Sequence, residues 1–118
     1  MSKKIVELFI EASEKSDLET ALGLFADGGV WIDPAGKVYQ GDAIEPYLVQ
    51  QIDLLHQFNA QGVTVNYSEA VEAVAGDEDW VYLAATVNQA DGTEIRRFVD
   101  VFKLRDGKIV VKDVFSKE

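Results

Sequence analysis

Residues 96–104 read Arg-Arg-Phe-Val-Asp-Val-Phe-Lys-Leu, and this stretch decides the fold of the chain. It predicts a β-strand, in which successive side chains point to opposite faces of a sheet. One face carries Phe98, Asp100, Phe102 and Leu104 with Arg96 near its end, and the other carries Val99 and Val101 between Arg97 and Lys103. Apolar residues on both faces are typical of a central strand.

Asp100 does not fit that simple pattern. A carboxylate between two phenylalanines costs free energy unless it is hydrogen-bonded, paired or protonated. It is therefore either a structural acid, satisfied by backbone donors or by Arg96, or a cavity acid whose shifted pKa serves a ligand or a reaction. The residues alone leave both interpretations open.

Composition sets the bounds for the whole chain. Its 118 residues, 47% hydrophobic and 27% charged, predict a single globular domain over residues 1–118. The absence of cysteine excludes disulfides and a thiolate nucleophile. A net charge of −10 disfavours nucleic acid and anionic membranes as partners. With neither a signal-like segment nor a membrane-length apolar run, the chain is expected to be cytoplasmic. We also expect no cofactor.

Helical periodicity dominates the first half. It predicts a helix over residues 3–15, and then a second helix opened by a capping box of Ser16 and Glu19 and stopped at residues 27–29. A short strand over residues 30–33 ends at Pro34, and a second short strand follows at residues 38–39. A third helix is expected to begin at an Asp42 cap.

After residue 62 the period of the apolar pattern changes to two. Strands are predicted at residues 63–67, 80–88, 96–104 and 108–116, with a bulge or bend near residues 70–71 and tight turns at Asp91-Gly92 and Asp106-Gly107. The predicted fold is α+β, with three N-terminal helices packed on one face of a curved, mostly antiparallel sheet. Such a concave sheet leaves an apolar pocket beneath its helices.

The order of these elements resembles a known superfamily. The shared features are Asp-Leu-x-x-Ala-Leu-x-Leu-Phe-Ala-Asp at residues 17–27, a strand ending in Asp-Pro-x-Gly at residues 33–36, and Gly-Asp-Ala-Ile at residues 41–44. They resemble the nuclear transport factor 2-like (cystatin-like) superfamily, and most closely its steroid delta-isomerase and SnoaL-like polyketide cyclase members. The resemblance implies a conical barrel whose mouth admits a small hydrophobic molecule.

The resemblance also implies roles for particular residues. Asp33 matches the aspartate that abstracts the substrate proton, and Asp100 matches an aspartate held protonated to donate to the dienolate oxygen. Two carboxylates can divide the work in this way when their environments differ. The tyrosine that completes the oxyanion hole corresponds to Phe9, which cannot donate, and one lost donor typically costs about 3 kcal/mol. Tyr47 lies close to the position of a supporting tyrosine of the family, but one residue away from it.

Other residues are candidates for lining the pocket. The predicted set is Phe9, Trp31, Tyr47, Phe98, Phe102 and Asp113, the last because cyclases and epoxide hydrolases of the superfamily place acids on that strand. The aromatic members are also ordinary core residues, and Asp33 equally fits an Asx-type turn residue. His56, the single histidine, is expected to be structural, so we expect no histidine-based metal cluster.

Two functions follow as hypotheses. The first is an isomerase or cyclase that transfers a proton on a small hydrophobic carbonyl compound, using Asp33 and Asp100. The second is a noncatalytic pocket for a small apolar molecule. We also expect a homodimer formed through the outer sheet face, with Val81, Leu83, Val99 and Val101 supplying the apolar patch and Arg97 and Lys103 on its rim.

Overall fold

A computed structural model describes residues 2–117 of the chain. The helices are α1 (Ser2–Glu14), α2 (Leu18–Gly23) and α3 (Ile44–Ala60), the last preceded by a 3-10 turn at Gly41–Ala43. The strands are β1 (Phe25–Ile32), β2 (Val38–Gln40), β3 (Thr64–Tyr67), β4 (Val71–Ala75), β5 (Glu78–Asn88), β6 (Glu94–Arg105) and β7 (Lys108–Lys117). The predicted α+β class with three helices is confirmed.

The seven strands form one sheet in the order β2-β1-β7-β6-β5-β3, with β4 also pairing with β5. Every pairing is antiparallel except that of β1 with β7, which is parallel and was not expected. β3 and β4 both lie along β5, and the break between them confirms the predicted bend near Ala70. Over residues 2–117, β2 and β3 stand at opposite ends of the sheet, so the expected barrel is not closed.

In the first half of the chain, the structure corrects several of the predicted element boundaries. Asp17, not Ser16, caps α2, and its carboxylate accepts the Thr20 backbone N–H. The helix ends at Gly23 because residues 25–32 extend to pair with β7, so the predicted stop at residues 27–29 is wrong. Asp42 lies inside the 3-10 turn and does not cap α3.

A bulge in β1 explains the paired glycines that looked like a helix stop. The register of β1 against β7 shifts between Phe25 and Val30. A Cβ added to Gly29 would lie 3.0 Å from the carbonyl oxygens of both Ala26 and Ile109. Glycine is therefore needed for the close approach of two backbones, which is a common reason for glycine inside a strand.

The core lies between the inner face of the sheet and helices α1 and α3. Its fully buried side chains include Val6, Phe9, Leu48, Val81, Phe102, Leu104 and Ile109. Burying each such side chain contributes about 1.5–3 kcal/mol, which anchors the helices on this one face. Phe98, Asp100, Phe102 and Leu104 share the inner face, as the alternation in residues 96–104 predicted.

The opposite face of the sheet differs from the prediction at two positions. Val81 and Leu83 are buried, and they pair with Phe102 and Asp100 on the inner face. Their assignment to an outer patch is therefore wrong. The neighbours of Val101 and Val99 on the outer face are Tyr82 and Phe115, which are 40% and 57% exposed.

No helix within residues 2–117 combines the length and the apolar character needed to cross a bilayer.

Candidate functional site

A cavity of about 290 Å³ lies between α1, α3 and the inner face of the sheet. Its walls are mostly apolar and aromatic, and its polar groups are few: Ser13, Gln51, Tyr47, Tyr67, Arg96, Asp100 and Lys112, with the indole N–H of Trp31. Apolar walls with a few polar groups are typical of sites for small molecules.

Asp100 and Lys112 form a buried ion pair in the wall of this cavity. Asp100 points inward from the middle of β6, and Lys112 points inward from β7, where it pairs across from Phe102. Because the two positions are diagonal neighbours on one face, their side chains meet, and Nζ of Lys112 lies 3.5 Å from Oδ2 of Asp100. They are only 1% and 5% exposed, so the carboxylate between the phenylalanines is a paired acid.

Three aromatic rings surround the Lys112 ammonium. Its Nζ lies 4.3 Å from the Trp31 ring centroid, 5.4 Å from that of Phe102 and 5.9 Å from that of Phe9. A cation over an aromatic face is attracted by the ring quadrupole, by up to about 2 kcal/mol where water is absent. These rings replace part of the hydration that the amine loses on burial.

Burial shifts both members of the pair toward their neutral forms. Desolvation raises the pKa of Asp100, against the opposing effect of Lys112. Desolvation likewise lowers the pKa of Lys112, and Asp100 opposes that shift. One proton is thus held between a carboxyl and an amine, and the pair is electrically neutral whichever group carries it.

Two polar atoms of the site make no hydrogen bond to any residue in the described part of the chain. They are Oδ1 of Asp100 and Nε1 of Trp31, both on residues that line the cavity. An unsatisfied buried polar atom costs about 1–3 kcal/mol. A ligand oxygen could accept from the Trp31 indole, or from a protonated Asp100, and relieve that cost.

Two tyrosines add hydroxyl groups to the same space. Burial raises the pKa of Tyr47 to about 12, and Asp33 contributes to the shift. The pKa of Tyr67 is also raised, chiefly by burial and then by Asp100, although the residue as a whole is 37% exposed. Both hydroxyls therefore stay neutral and can donate. Tyr67 was missed, but its even spacing from the apolar Val63 and Val65 could have indicated it.

Asp33 has a different environment. Its Oδ1 accepts the backbone N–H groups of Ala35 and Lys37, each at 2.9 Å, and Tyr39 Oη lies 3.4 Å from Oδ2. Pro34 lines the cavity, whereas Asp33 is not among the described residues that do. The carboxylate thus acts as an Asx-type turn residue, and its catalytic role stays a prediction.

The remaining predicted residues divide into two groups. Phe9, Trp31, Tyr47 and Phe98 line the cavity, as does Asp100. Phe102 lies in the core behind the cavity, where it contacts the lining residues Phe9 and Lys112. Asp113 pairs across from Val101 and shares its outward direction, so it lies on the face opposite the cavity.

His56 is exposed, and its Nε2 lies 3.3 Å from the Ser16 hydroxyl. Across residues 2–117, no group of three or more histidine, cysteine, aspartate or glutamate side chains is arranged to hold a metal ion.

Comparison with known families and structures adds an independent line of evidence. The profile of the SnoaL-like domain matches residues 6–112. No match was found among curated protein sequences.

Solved structures share the fold over nearly the whole chain. A candidate polyketide cyclase from Sinorhizobium meliloti is 24% identical with a TM-score of 0.64, over 94% of this chain and 93% of that one. A candidate ketosteroid isomerase from Shewanella frigidimarina is 17% identical with a TM-score of 0.73, over 94% and 91%. An NTF2-like protein with a cystatin-like fold from Novosphingobium aromaticivorans is 16% identical with a TM-score of 0.75, over 96% and 77%. At these identities the likeness concerns the fold alone.

Proposed function

The chain belongs to the SnoaL-like domain family, and we propose that its cavity binds a small, mainly apolar carbonyl compound and transfers a proton at the carbon beside the carbonyl. Such a transfer leads to isomerisation or cyclisation. The names of the similar structures, a candidate polyketide cyclase and a candidate ketosteroid isomerase, are consistent with this class of reaction.

One observation carries the proposal: a neutral acid–amine pair lies in the wall of an apolar cavity and leaves a carboxyl oxygen unpartnered. Proton abstraction beside a carbonyl needs a base for the carbon and a donor for the developing enolate oxygen. With its raised pKa, Asp100 can donate from the carboxyl, and Lys112, with its lowered pKa, can accept. Lys112 is therefore a second candidate for the base, beside Asp33, while Asp100 keeps the donor role.

The mostly apolar walls favour such chemistry because electrostatic interactions are stronger beside apolar surface than in water. Phe9, Trp31 and Phe98 supply aromatic surface around a ligand, and Tyr67 supplies a second neutral hydroxyl. Phenylalanine at position 9 cannot donate, but the Trp31 indole and the hydroxyls of Tyr47 and Tyr67 can each donate to a carbonyl oxygen.

A deuterium-exchange assay tests this proposal. Cyclohexanone in D₂O should lose its α-proton NMR signals faster with the protein than in buffer. Asp100→Asn should slow the catalysed rate by about a hundredfold, the size typical of general acid–base catalysis. Asp53→Asn is the matched control, since Asp53 is exposed on α3 outside the cavity lining. Equal rates in wild type and Asp100→Asn would contradict the proposal.

The role of Asp33 can be decided in the same assay. If its carboxylate is the base, Asp33→Asn should abolish exchange while cyclohexanone still binds. If it serves only the turn, the variant should lose stability but keep its rate per folded molecule, because the hydrogen bonds to Ala35 and Lys37 are weakened.

A noncatalytic pocket is the second candidate function. It is favoured by the mutual neutralisation of Asp100 and Lys112 and by the engagement of Asp33 in a turn. Cyclohexanone binding can be monitored through the fluorescence of the cavity residue Trp31. Saturable binding with no acceleration of deuterium exchange would favour this candidate.

A further inference from the structure

Lys112 has surroundings unlike those of the other lysines. Other lysines reach solvent, as Lys15 does in its surface pair with Glu11. Lys112 is 5% exposed, lies against the Trp31 ring and faces a cavity that can hold a small molecule. A cation that only stabilised the fold would not have to line a cavity. The position of Lys112 therefore suggests a role toward a bound molecule.

We propose that Lys112 forms a covalent imine with an aldehyde or ketone bound in the cavity, with Asp100 as the acid that completes the reaction. This inference rests on the proposed function in one respect: a carbonyl compound must occupy the cavity.

The geometry supplies what imine formation needs. The nucleophile must be a neutral amine, and desolvation in the aromatic surroundings favours that form of Lys112. An acid must reach the oxygen that leaves, and Asp100 lies 3.5 Å from the amine. The apolar walls limit the water that would hydrolyse the product.

The step balances in atoms and charge. The Lys112 amine attacks the carbonyl carbon, the C=O π bond breaks, and a proton passes from the attacking nitrogen to the oxygen to give a neutral carbinolamine. The Asp100 carboxyl then protonates the hydroxyl group, the C–O bond breaks and water leaves. The products are a protonated imine, the Asp100 carboxylate and one water molecule, formed from a neutral amine, a neutral acid and the carbonyl compound.

The products have a direct use in proton transfer. A protonated imine withdraws electrons more strongly than a carbonyl, so it acidifies the neighbouring carbon. The carboxylate left on Asp100 is then the base nearest to it. Asp100 would act first as acid and then as base, and its carboxylate would balance the iminium charge until it takes up the proton.

Reductive trapping tests the inference. The full chain is incubated with cyclohexanone and cyanoborohydride, which reduces an imine to a stable secondary amine, and the modified lysine is located by mass spectrometry of the digest. We expect Lys112 to be modified first, ahead of the exposed lysines in the same molecule. Modification confined to exposed lysines, with Lys112 unmodified, would overturn the inference.

Variants separate the chemistry from the fold. Lys112→Arg keeps a cation beside Asp100 but cannot form an imine, so it should fold and lose the adduct. Lys103→Met is the matched control, since Lys103 points to the outer face and pairs with Glu78, and it should leave trapping at Lys112 unchanged. Asp100→Asn should slow trapping by about a hundredfold; an unchanged rate would refute the role given to Asp100.

The two proposals can fail separately. If cyclohexanone quenches Trp31 fluorescence and exchanges its α-protons but gives no adduct at Lys112, the imine is refuted and the proton-transfer function stands. If cyclohexanone neither binds nor reacts, both proposals fall.

Discussion

Replacing Lys112 with methionine should make the stability of the protein depend on pH in a defined direction. Without its cation, buried Asp100 must stay protonated in the folded state, whereas in the unfolded chain it ionises above its ordinary pKa of about 3.9. The unfolded state then binds fewer protons, so stability falls by about 1.4 kcal/mol per pH unit above that value. The loss continues until the pH passes the raised folded-state pKa of Asp100.

Asp100→Asn should produce the opposite slope. Desolvated Lys112 then remains neutral in the folded state but is protonated in the unfolded chain below its ordinary pKa of about 10.4. Stability should therefore rise with pH by about 1.4 kcal/mol per unit, above the lowered folded-state pKa. In the wild type the pair contributes no slope, since one proton is bound by the pair in either state.

Urea unfolding at several pH values measures these slopes, each taken relative to the wild type so that the other carboxylates cancel. Asp53→Asn, an exposed change of the same kind, should run parallel to the wild type. If both pocket variants also ran parallel to it, the pair would be hydrated and the argument from desolvation would be refuted.

Three further predictions concern the scaffold. Phe102→Ala should lower the free energy of unfolding by about 3–5 kcal/mol, since the ring is fully buried, whereas Val74→Ala at an exposed position should change it by about 0.5 kcal/mol or less; urea unfolding measures both. Val101→Lys should convert the homodimer that we expect through the outer face into monomers in sedimentation; a monomeric wild type at high micromolar concentration would contradict this. Asp17→Ala should cost about 1 kcal/mol in thermal unfolding by removing the cap of α2, while Asp17→Asn, which keeps an acceptor, should cost much less.

The sequence predicted the fold where the pattern is local. The alternation of residues 96–104 places Asp100 on the inner face, and the period of two after residue 62 predicts the antiparallel strands. Long-range pairing overrode local signals elsewhere. Phe25 fits the apolar stripe of a helix, yet it pairs with β7 in a parallel strand. The periodicity of a segment does not reveal which distant strand it pairs with.

Lys112 was missed for a related reason. Counting in twos from the buried Ile109 points Val111 and Asp113 inward and Lys112 outward. The register of β6 against β7 shifts between Lys103 and Leu104, so one extra residue in β7 reverses the parity and turns Lys112 into the cavity. A bulge of this kind depends on the neighbouring strand, and the sequence of β7 alone does not reveal it.

Both proposed reactions require a carbonyl compound to bind with its oxygen beside Asp100 and Lys112. A crystal structure of the protein with cyclohexanone would show whether it does. We predict the ligand in the cavity between Phe9 and Phe98, with its oxygen within about 2.5–3.2 Å of Oδ1 of Asp100 or Nε1 of Trp31. If the imine has formed, the former carbonyl carbon should instead be bonded to Nζ of Lys112. A ring whose carbonyl points away from the pair, or a cavity empty at saturating cyclohexanone, would contradict the claim.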